Sequence, residues 1–255
     1  MRQKERRIIY FYQFLVLLFI LSLWEVTTHF RFVDPLIFSS PSTVMTLFIS
    51  KLQDGTLLPH AWVTLLETII SFLLGTILGT VTAIFLWSSR TAAQIAEPYL
   101  VVLNAMPKVA IGPIILVLFG PNTLAIIMMG ILISVVVSTI VIFSAFQRVD
   151  EHYIKVMQLF HASKAQIFRH VIFPASIPTI ISTLKVNVGL AWVGVIVGEF
   201  LVSSKGLGYL IISGFQIFNF NVVFLALSII LVLATFMYKA VELLEKWLLK
   251  RFNFQ

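Results

Sequence analysis

Apolar residues are concentrated in six stretches of the chain, and each stretch is long enough to cross a lipid bilayer. A membrane-spanning helix needs roughly 20 mostly apolar residues. Polar and charged residues collect between the stretches. The pattern therefore predicts an all-α polytopic membrane protein with six transmembrane helices, at approximately residues 8–28, 62–87, 96–119, 122–146, 171–200 and 221–247.

Composition agrees with this pattern. The chain has 255 residues, of which 59% are hydrophobic and 11% charged, whereas soluble domains are about a quarter charged. We therefore expect a single transmembrane domain over residues 1–255. Its core covers roughly residues 60–250, and residues 1–59 supply the first helix and an external loop. The chain has no Cys, which excludes disulfides, Cys-ligated zinc and a thiol nucleophile.

The N-terminus allows two interpretations. Met1 to Arg7 is basic and is followed by an apolar run from Ile8 to about Trp24, as in a signal peptide. The run is long for a signal peptide, however, and no small-x-small cleavage site follows it. A retained signal-anchor helix is the favoured interpretation.

Positive charge predicts the orientation of the helices, because cytoplasmic segments carry an excess of Lys and Arg. The alternate set of segments holds Arg31, Lys51 and Lys205. The remaining segments, which include both termini, are far more basic, and we expect both ends of the chain in the cytoplasm. The net charge of +7 is explained by this orientation and gives no reason to expect nucleic-acid binding. The residues on the basic side are Arg2, Lys4, Arg6, Arg7, Arg90, Arg148, Lys155, Lys164, Arg169, Lys239, Lys246, Lys250 and Arg251.

One cytoplasmic segment is long, and it lies between the fourth and fifth stretches at residues 147–172. Asp150 and Ser163 can each cap a helix, and Pro174 and Pro178 set the start of the next span. The segment predicts a helix-turn-helix over residues 150–168, which we call the knob. It is either a docking surface for a cytoplasmic partner or a loop in the headgroup region. Its first helix has an apolar face made of Tyr153, Val156, Met157 and Phe160.

The second half of the knob resembles the cytoplasmic EAA signature of bacterial ATP-binding-cassette importer permeases. The matching residues are Ala162, Ser163, the run from Gln166 to Arg169, Val171, Pro174, Ala175 and Pro178. The first half departs from that signature. Lys155-Val156-Met157 stands where Glu-Ala-Ala is usual, and His161 replaces a Gly that favours a left-handed turn.

Further stretches are similar to the nitrate/sulfonate/taurine-type branch of these permeases, in the same order along nearly the whole chain. They are Leu23-Trp24-Glu25, Ser40-Pro41-Ser42-Thr43-Val44, Pro98-Tyr99, Met106-Pro107-Lys108-Val109-Ala110, Pro113, Phe119-Gly120, Gly198-Glu199-Phe200-Leu201 and Gly206-Leu207-Gly208-Tyr209-Leu210-Ile211. Each motif alone is weak evidence for the resemblance, and the motifs are specific only when they are taken together.

The resemblance implies a permease subunit in a bacterial cytoplasmic (inner) membrane that carries a small solute inward. The solute would be sulfonate-, nitrate- or taurine-like, or like a vitamin precursor. The subunit would be a homodimer without enzymatic activity, served by an external solute-binding protein. Cytoplasmic ATP-binding cassette subunits would bind ATP and Mg, because this chain has no phosphate-binding loop. The residues implied in coupling to the ATPase are Tyr153, Val156, Met157, Phe160, His161, Ala162 and Ser163.

Polar residues inside spans are costly and tend to face a cavity or a partner helix. Candidates for the solute pathway are Asn104, Asn187 and Glu199, with Met106 and Trp192 as neighbours that set its shape. Alternatively, Asn187 bonds an adjacent helix and Glu199 pairs with Lys205 at the outer boundary.

Three further features bear on packing, metal binding and function. Glu67 is expected at the membrane interface, and Gly75 and Gly79 form a G-x-x-x-G that favours close helix packing. The five His residues are scattered and predict no metal site.

The main alternative function is an ion-coupled secondary transporter or channel, and a membrane enzyme is a weaker one because no catalytic group is apparent.

Overall fold

A computed structural model describes residues 3–251, and helices account for most of this range. We number the α-helices α1 to α12 in chain order. They are α1 Gln3–His29, α2 Pro35–Phe38, α3 Pro41–Gln53, α4 Leu57–Ser88, α5 Arg90–Ala105, α6 Gly112–Phe119, α7 Thr123–Gln147, α8 Glu151–Leu159, α9 Lys164–Ile167, α10 Phe173–Val202, α11 Leu207–Gln216 and α12 Phe220–Arg251. A 3₁₀ turn, Lys108–Ile111, precedes α6, and a π turn, Phe168–Ile172, joins α9 to α10.

Within residues 3–251, five helical stretches are long and apolar enough to cross a membrane by themselves: Arg7–His29, Leu57–Ser88, Thr123–Gln147, Lys164–Val202 and Phe220–Lys250. These correspond to five of the six predicted spans. The fifth begins earlier than predicted, because the helix runs through the π turn ahead of Pro174 instead of starting at that proline.

The predicted third span is bent. Arg90–Ala105 and Val109–Phe119 meet at 98°, and the two pieces qualify as a span only together. The break follows from Pro107, which has no N–H for the helix and restricts the residue before it to extended backbone. Met106 accordingly has φ −62° and ψ 140°. Six spans are thus present if this bent pair counts as one.

Contacts divide the chain into two compact units. The first comprises the described residues up to Trp62 together with Lys205–Ile230. Within it, the Glu25 carboxylate of α1 accepts hydrogen bonds from the backbone N–H and the hydroxyl of Ser42, at 2.9 and 2.7 Å. Helix α3 begins in the same segment, and the Ser40 hydroxyl caps it by accepting from the N–H of Thr43.

The second unit comprises Val63–Ser204 and the described residues from Leu231 onward. Its most extensive helix pair is α7 with α10. Gly75 and Gly79 of α4 lie against Ser134 and Ser138 of α7, where a side chain would collide with the serine Cβ atoms. The G-x-x-x-G therefore packs inside the fold, as predicted.

Substitution of Gly79 by Ala tests this packing. The added Cβ would meet the Cβ of Ser138, which is fixed to the backbone and cannot rotate away. We expect Gly79→Ala to lower stability by about 1–3 kcal/mol, seen as a lower melting temperature of the detergent-solubilised chain. The matched control is Gly189→Ala, because nothing lies within 4 Å of a Cβ there. Equal melting temperatures for the two variants would contradict the close contact.

Candidate functional site

The knob is a pair of short helices whose starts are fixed by side-chain caps. The Asp150 carboxylate accepts a hydrogen bond from the N–H of His152 at 2.9 Å and begins α8. Ser163 begins α9 through a capping box, in which Ser163 and Gln166 each accept the other's backbone N–H. Both caps agree with the prediction.

The turn between the two helices depends on His161. Its φ of 55° lies in the left-handed region, which costs a non-glycine residue about 1–2 kcal/mol. The N–H of Ala162 donates to the carbonyl of Met157 at 3.0 Å, and that of His161 donates to Gln158 at 2.9 Å. This is the hydrogen-bond pattern of a Schellman motif, so histidine makes here the turn that glycine usually makes.

The two sides of α8 have different surroundings. Ile154 and Met157 pack, with Ala162 and Phe168, against a buried cluster formed by Ala83, Ile142, Phe146, Ile167 and Ile172. The adjoining side is exposed and apolar: Tyr153 is 65% exposed, Val156 51%, Leu159 80% and Phe160 79%. We call these four residues the apolar surface of α8.

This geometry alters the predicted apolar face at two positions. Met157 packs against the chain's own core and is partly buried, so it is less exposed than its neighbours Tyr153 and Phe160. Leu159 was missed, because the i, i+3, i+4, i+7 pattern counted from Tyr153 does not include it. His161 and Ser163 are exposed in the turn, and Ala162 is half-buried.

Lys164 fastens the knob to the end of α4. Its ammonium donates to the carbonyl of Ser88 at 2.6 Å and lies 5.4 Å from the ring centre of Trp87. The Trp87 ring also contacts Phe168, with 4.7 Å between centroids. Because these contacts add to the buried cluster, the knob and the ends of α4, α7 and α10 are tightly joined.

Asn187 occupies the interior of the second unit. Its side chain is fully buried, and its amide donates to the Thr76 hydroxyl of α4 at 2.8 Å and the Ser138 hydroxyl of α7 at 2.7 Å. Asn187 thus links α10 to both neighbouring helices. This is the alternative in which its side chain bonds adjacent helices.

Glu199 belongs to a separate polar group on the same helix. It lies twelve residues beyond Asn187, about 18 Å along the axis. Its carboxylate is fully buried and accepts from the Thr64 hydroxyl at 2.7 Å. Glu67 is only 2% exposed and its carboxyl faces that of Glu199, so both acidic side chains lie in the interior of the second unit. The expected depth of Glu67 at the membrane interface stays a prediction.

The other pathway candidates lie in different surroundings. Asn104 and Met106 are exposed at the end of α5, beside the break at Pro107. Trp192 is buried on α10, and its indole N–H has no partner among the described residues.

An ion pair inside the spans was not predicted. Lys185 of α10 approaches Glu245 of α12, with 2.8 Å between Nζ and Oε2. Hydropathy is evaluated along one helix at a time, so it cannot predict that residues of two different helices lie close in space.

A family model described as "binding-protein-dependent transport system inner membrane component" matches residues 71–250. A Haemophilus influenzae protein described as a probable ABC transporter permease is 30% identical over 233 residues, which are 91% of this chain and 93% of that protein. The Bacillus subtilis protein SsuC, described as an aliphatic sulfonates transport permease, is 28% identical over 91% of this chain and 84% of its own length.

A solved structure gives an independent comparison of the fold. A chain of the MetNI methionine ABC transporter, in an inward-facing conformation, superposes with a TM-score of 0.64 at 17% identity. The match covers 77% of this chain and 97% of that chain. At this level of identity the similarity is one of fold.

Asn187→Leu tests whether this residue holds helices together. The change leaves the Thr76 and Ser138 hydroxyls without their amide partner, so we expect a loss of about 1–2 kcal/mol. Thermal unfolding of the solubilised chain measures the loss. Val186→Leu is the control, because Val186 is 52% exposed on the same turn. An unchanged melting temperature with altered solute uptake would instead place Asn187 on the pathway.

Proposed function

Since the chain belongs to the family of binding-protein-dependent transport system inner membrane components, and is a membrane permease that carries a small solute inward, we propose that its knob receives the driving force from a cytoplasmic ATPase. This membership decides against the ion-coupled transporter or channel that the sequence left open. The observation that carries the proposal is the apolar surface of α8. It is exposed to solvent, although the knob is otherwise packed against the ends of α4, α7 and α10.

Exposing four adjacent apolar side chains to water on a short, otherwise polar helix is unfavourable in free energy. Tyr153, Val156, Leu159 and Phe160 are each at least half exposed, and contiguous apolar patches of this kind usually mark a protein contact. An amphipathic helix presenting residues at i, i+3, i+6 and i+7 fits an apolar groove. We infer that the ATPase supplies that groove.

Motion of the ATPase would then reach the membrane through rigid contacts. The knob is joined to α4 by Lys164 and to α7 and α10 by the buried cluster around Phe146 and Ile172. Since packed interiors deform little, displacement of α8 moves these helix ends together instead of bending the knob. Alternating access of the pathway is the expected result.

The complete transporter has further parts in this proposal. Two copies of this chain form a two-fold homodimer, with both termini of each copy in the cytoplasm of a bacterial cell and the chain in its inner membrane. Two ATP-binding cassette subunits hold ATP and Mg. A solute-binding protein delivers solute to the opposite face.

The solute proposed is a small organic anion of the sulfonate type. Support comes from the sulfonate permease that is 28% identical along most of both chains. A vitamin-precursor-like solute is the second candidate from the sequence.

The docking proposal is tested with Tyr153→Glu and Phe160→Glu. A charge buried in an apolar contact without a partner is strongly unfavourable, so each variant should co-purify at least ~tenfold less of the partner ATPase. ATP hydrolysis by the reconstituted complex should fall in parallel. Gln158→Glu is the control, since Gln158 is exposed on the polar side of α8.

Membrane levels and melting temperatures of all three variants should match the unsubstituted chain. Normal co-purification of Tyr153→Glu and Phe160→Glu would refute docking through this surface. Equal loss in Gln158→Glu would show a general effect of negative charge.

A further inference from the structure

A cavity of about 590 Å³ lies between α7, α10 and the first turn of α8. Its volume is within the range of small-molecule sites. The polar residues of its lining are Ser144, Arg148, Asp150, Tyr153, Ser176 and Thr179, and the remaining lining is aliphatic. The cavity adjoins the knob. It lies at the helix ends that the distribution of Lys and Arg predicts to face the cytoplasm.

Arg148 gives the cavity a positive group. Within residues 3–251, no carboxylate forms an ion pair with its guanidinium. Asp150 also lines the cavity, but its carboxylate accepts the His152 N–H and faces the positive end of the α8 dipole. Both groups are thus partly compensated by a helix end, since Arg148 is the C-cap of α7, but neither the guanidinium nor the carboxylate forms an ion pair within residues 3–251.

Ser176 supplies an unused hydroxyl at the cavity wall. It is 2% exposed, and its Oγ has no hydrogen-bond partner in the described part of the chain. Other buried hydroxyls of these helices behave differently: those of Thr76, Ser134 and Thr183 donate to the carbonyl four residues earlier. A buried hydroxyl left unpaired costs free energy. Because the Oγ is closed off from solvent, the Ser176 side chain must rotate toward the cavity for an occupant with acceptor oxygens to recover that cost.

The lining selects an occupant by its chemistry. A guanidinium and hydroxyls are hydrogen-bond donors suited to an anionic group with several oxygens, while the aliphatic wall provided by residues such as Val141 and Ala175 suits a short carbon chain. An inorganic anion would leave that wall in contact with water. The fitting class is a small organic anion, such as an alkyl sulfonate or carboxylate.

We propose that this cavity is an intracellular binding subsite, in which the acidic group of the transported solute rests on Arg148 and Ser176 before it leaves for the cytoplasm. The proposal rests on the inward transport described above and names a place on its path. Tyr153 belongs both to the cavity and to the apolar surface of α8, so an occupied subsite touches the helix that meets the ATPase.

The absence of Cys in the chain makes the charge of the cavity measurable. Ala175→Cys places one thiol at its exposed edge. The thiol is reacted, in permeabilised membrane vesicles, with the anionic 2-sulfonatoethyl and the cationic 2-trimethylammonioethyl methanethiosulfonates. The ratio of the two rates reports local charge, because a change in thiol reactivity affects both reagents equally.

Arg148→Gln should lower the anionic-to-cationic rate ratio of the thiol in Ala175→Cys roughly fivefold, and Arg148→Lys should leave it nearly unchanged. Asp150→Asn, which retains a capping residue, should raise the ratio. Ala165→Cys on α9 is the control, because Ala165 is exposed and does not line the cavity. Its ratio should be unaffected by Arg148→Gln.

Occupancy is tested by protection of Ala175→Cys against the neutral methyl methanethiosulfonate. Ethanesulfonate at millimolar concentration should slow the reaction at least ~twofold, less so in Arg148→Gln, while the neutral ethyl methyl sulfone should not. Absence of protection, or equal protection by the sulfone, overturns the subsite. Protection by dispersed anionic phospholipid but not by ethanesulfonate also overturns it, in favour of a lipid headgroup.

This experiment needs neither ATP nor the ATPase. Loss of docking in Phe160→Glu, a residue that does not line the cavity, with normal protection of the cavity thiol in Ala175→Cys, would support both proposals. Normal ATP-driven transport without protection of that thiol would reject the subsite alone.

Discussion

Inside a bilayer, apolar contact between helices gives little net stabilisation, because lipid tails are as apolar as the side chains that they would replace. The second unit is therefore held together by close approach and by hydrogen bonds that lipid cannot supply. Gly130 of α7 touches both Ser71 of α4 and Gly194 of α10. The small residues bring the three backbones near enough for the amide of Asn187 to reach hydroxyls on both neighbours.

Because the packing of α4, α7 and α10 is rigid, the knob can transmit force to these helices. A docking helix transmits force only if its base does not yield, and the base here is the buried cluster together with the bond from Lys164 to the last carbonyl of α4. The left-handed His161 turn fixes the angle between α8 and α9 at some local cost. That turn holds Ile154 and Met157 inward and leaves the apolar surface of α8 outward.

Sequence alone predicted the features that depend on neighbours along the chain. Hydropathy located the spans, and Asp150 and Ser163 predicted the starts of the knob helices, since each of these effects acts along the chain itself. It failed where the deciding partner is distant. Met157 packs against a buried cluster formed largely by other helices, and Lys185 is paired with Glu245 of α12.

The same distinction separates the polar residues within the spans. Asn187 and Glu199 looked alike in sequence as candidates for a solute path, yet each is enclosed by partners on other helices. A group whose hydrogen bonds are already made gains little from a passing solute. Arg148 and Ser176 are less conspicuous in the sequence, since Arg148 ends a span and Ser176 lies between Pro174 and Pro178. Beside the cavity, the Arg148 guanidinium has no carboxylate partner among the described residues, and the Ser176 hydroxyl has no hydrogen bond there. Hydrogen-bond donors that are not already paired are what a transient anionic ligand requires.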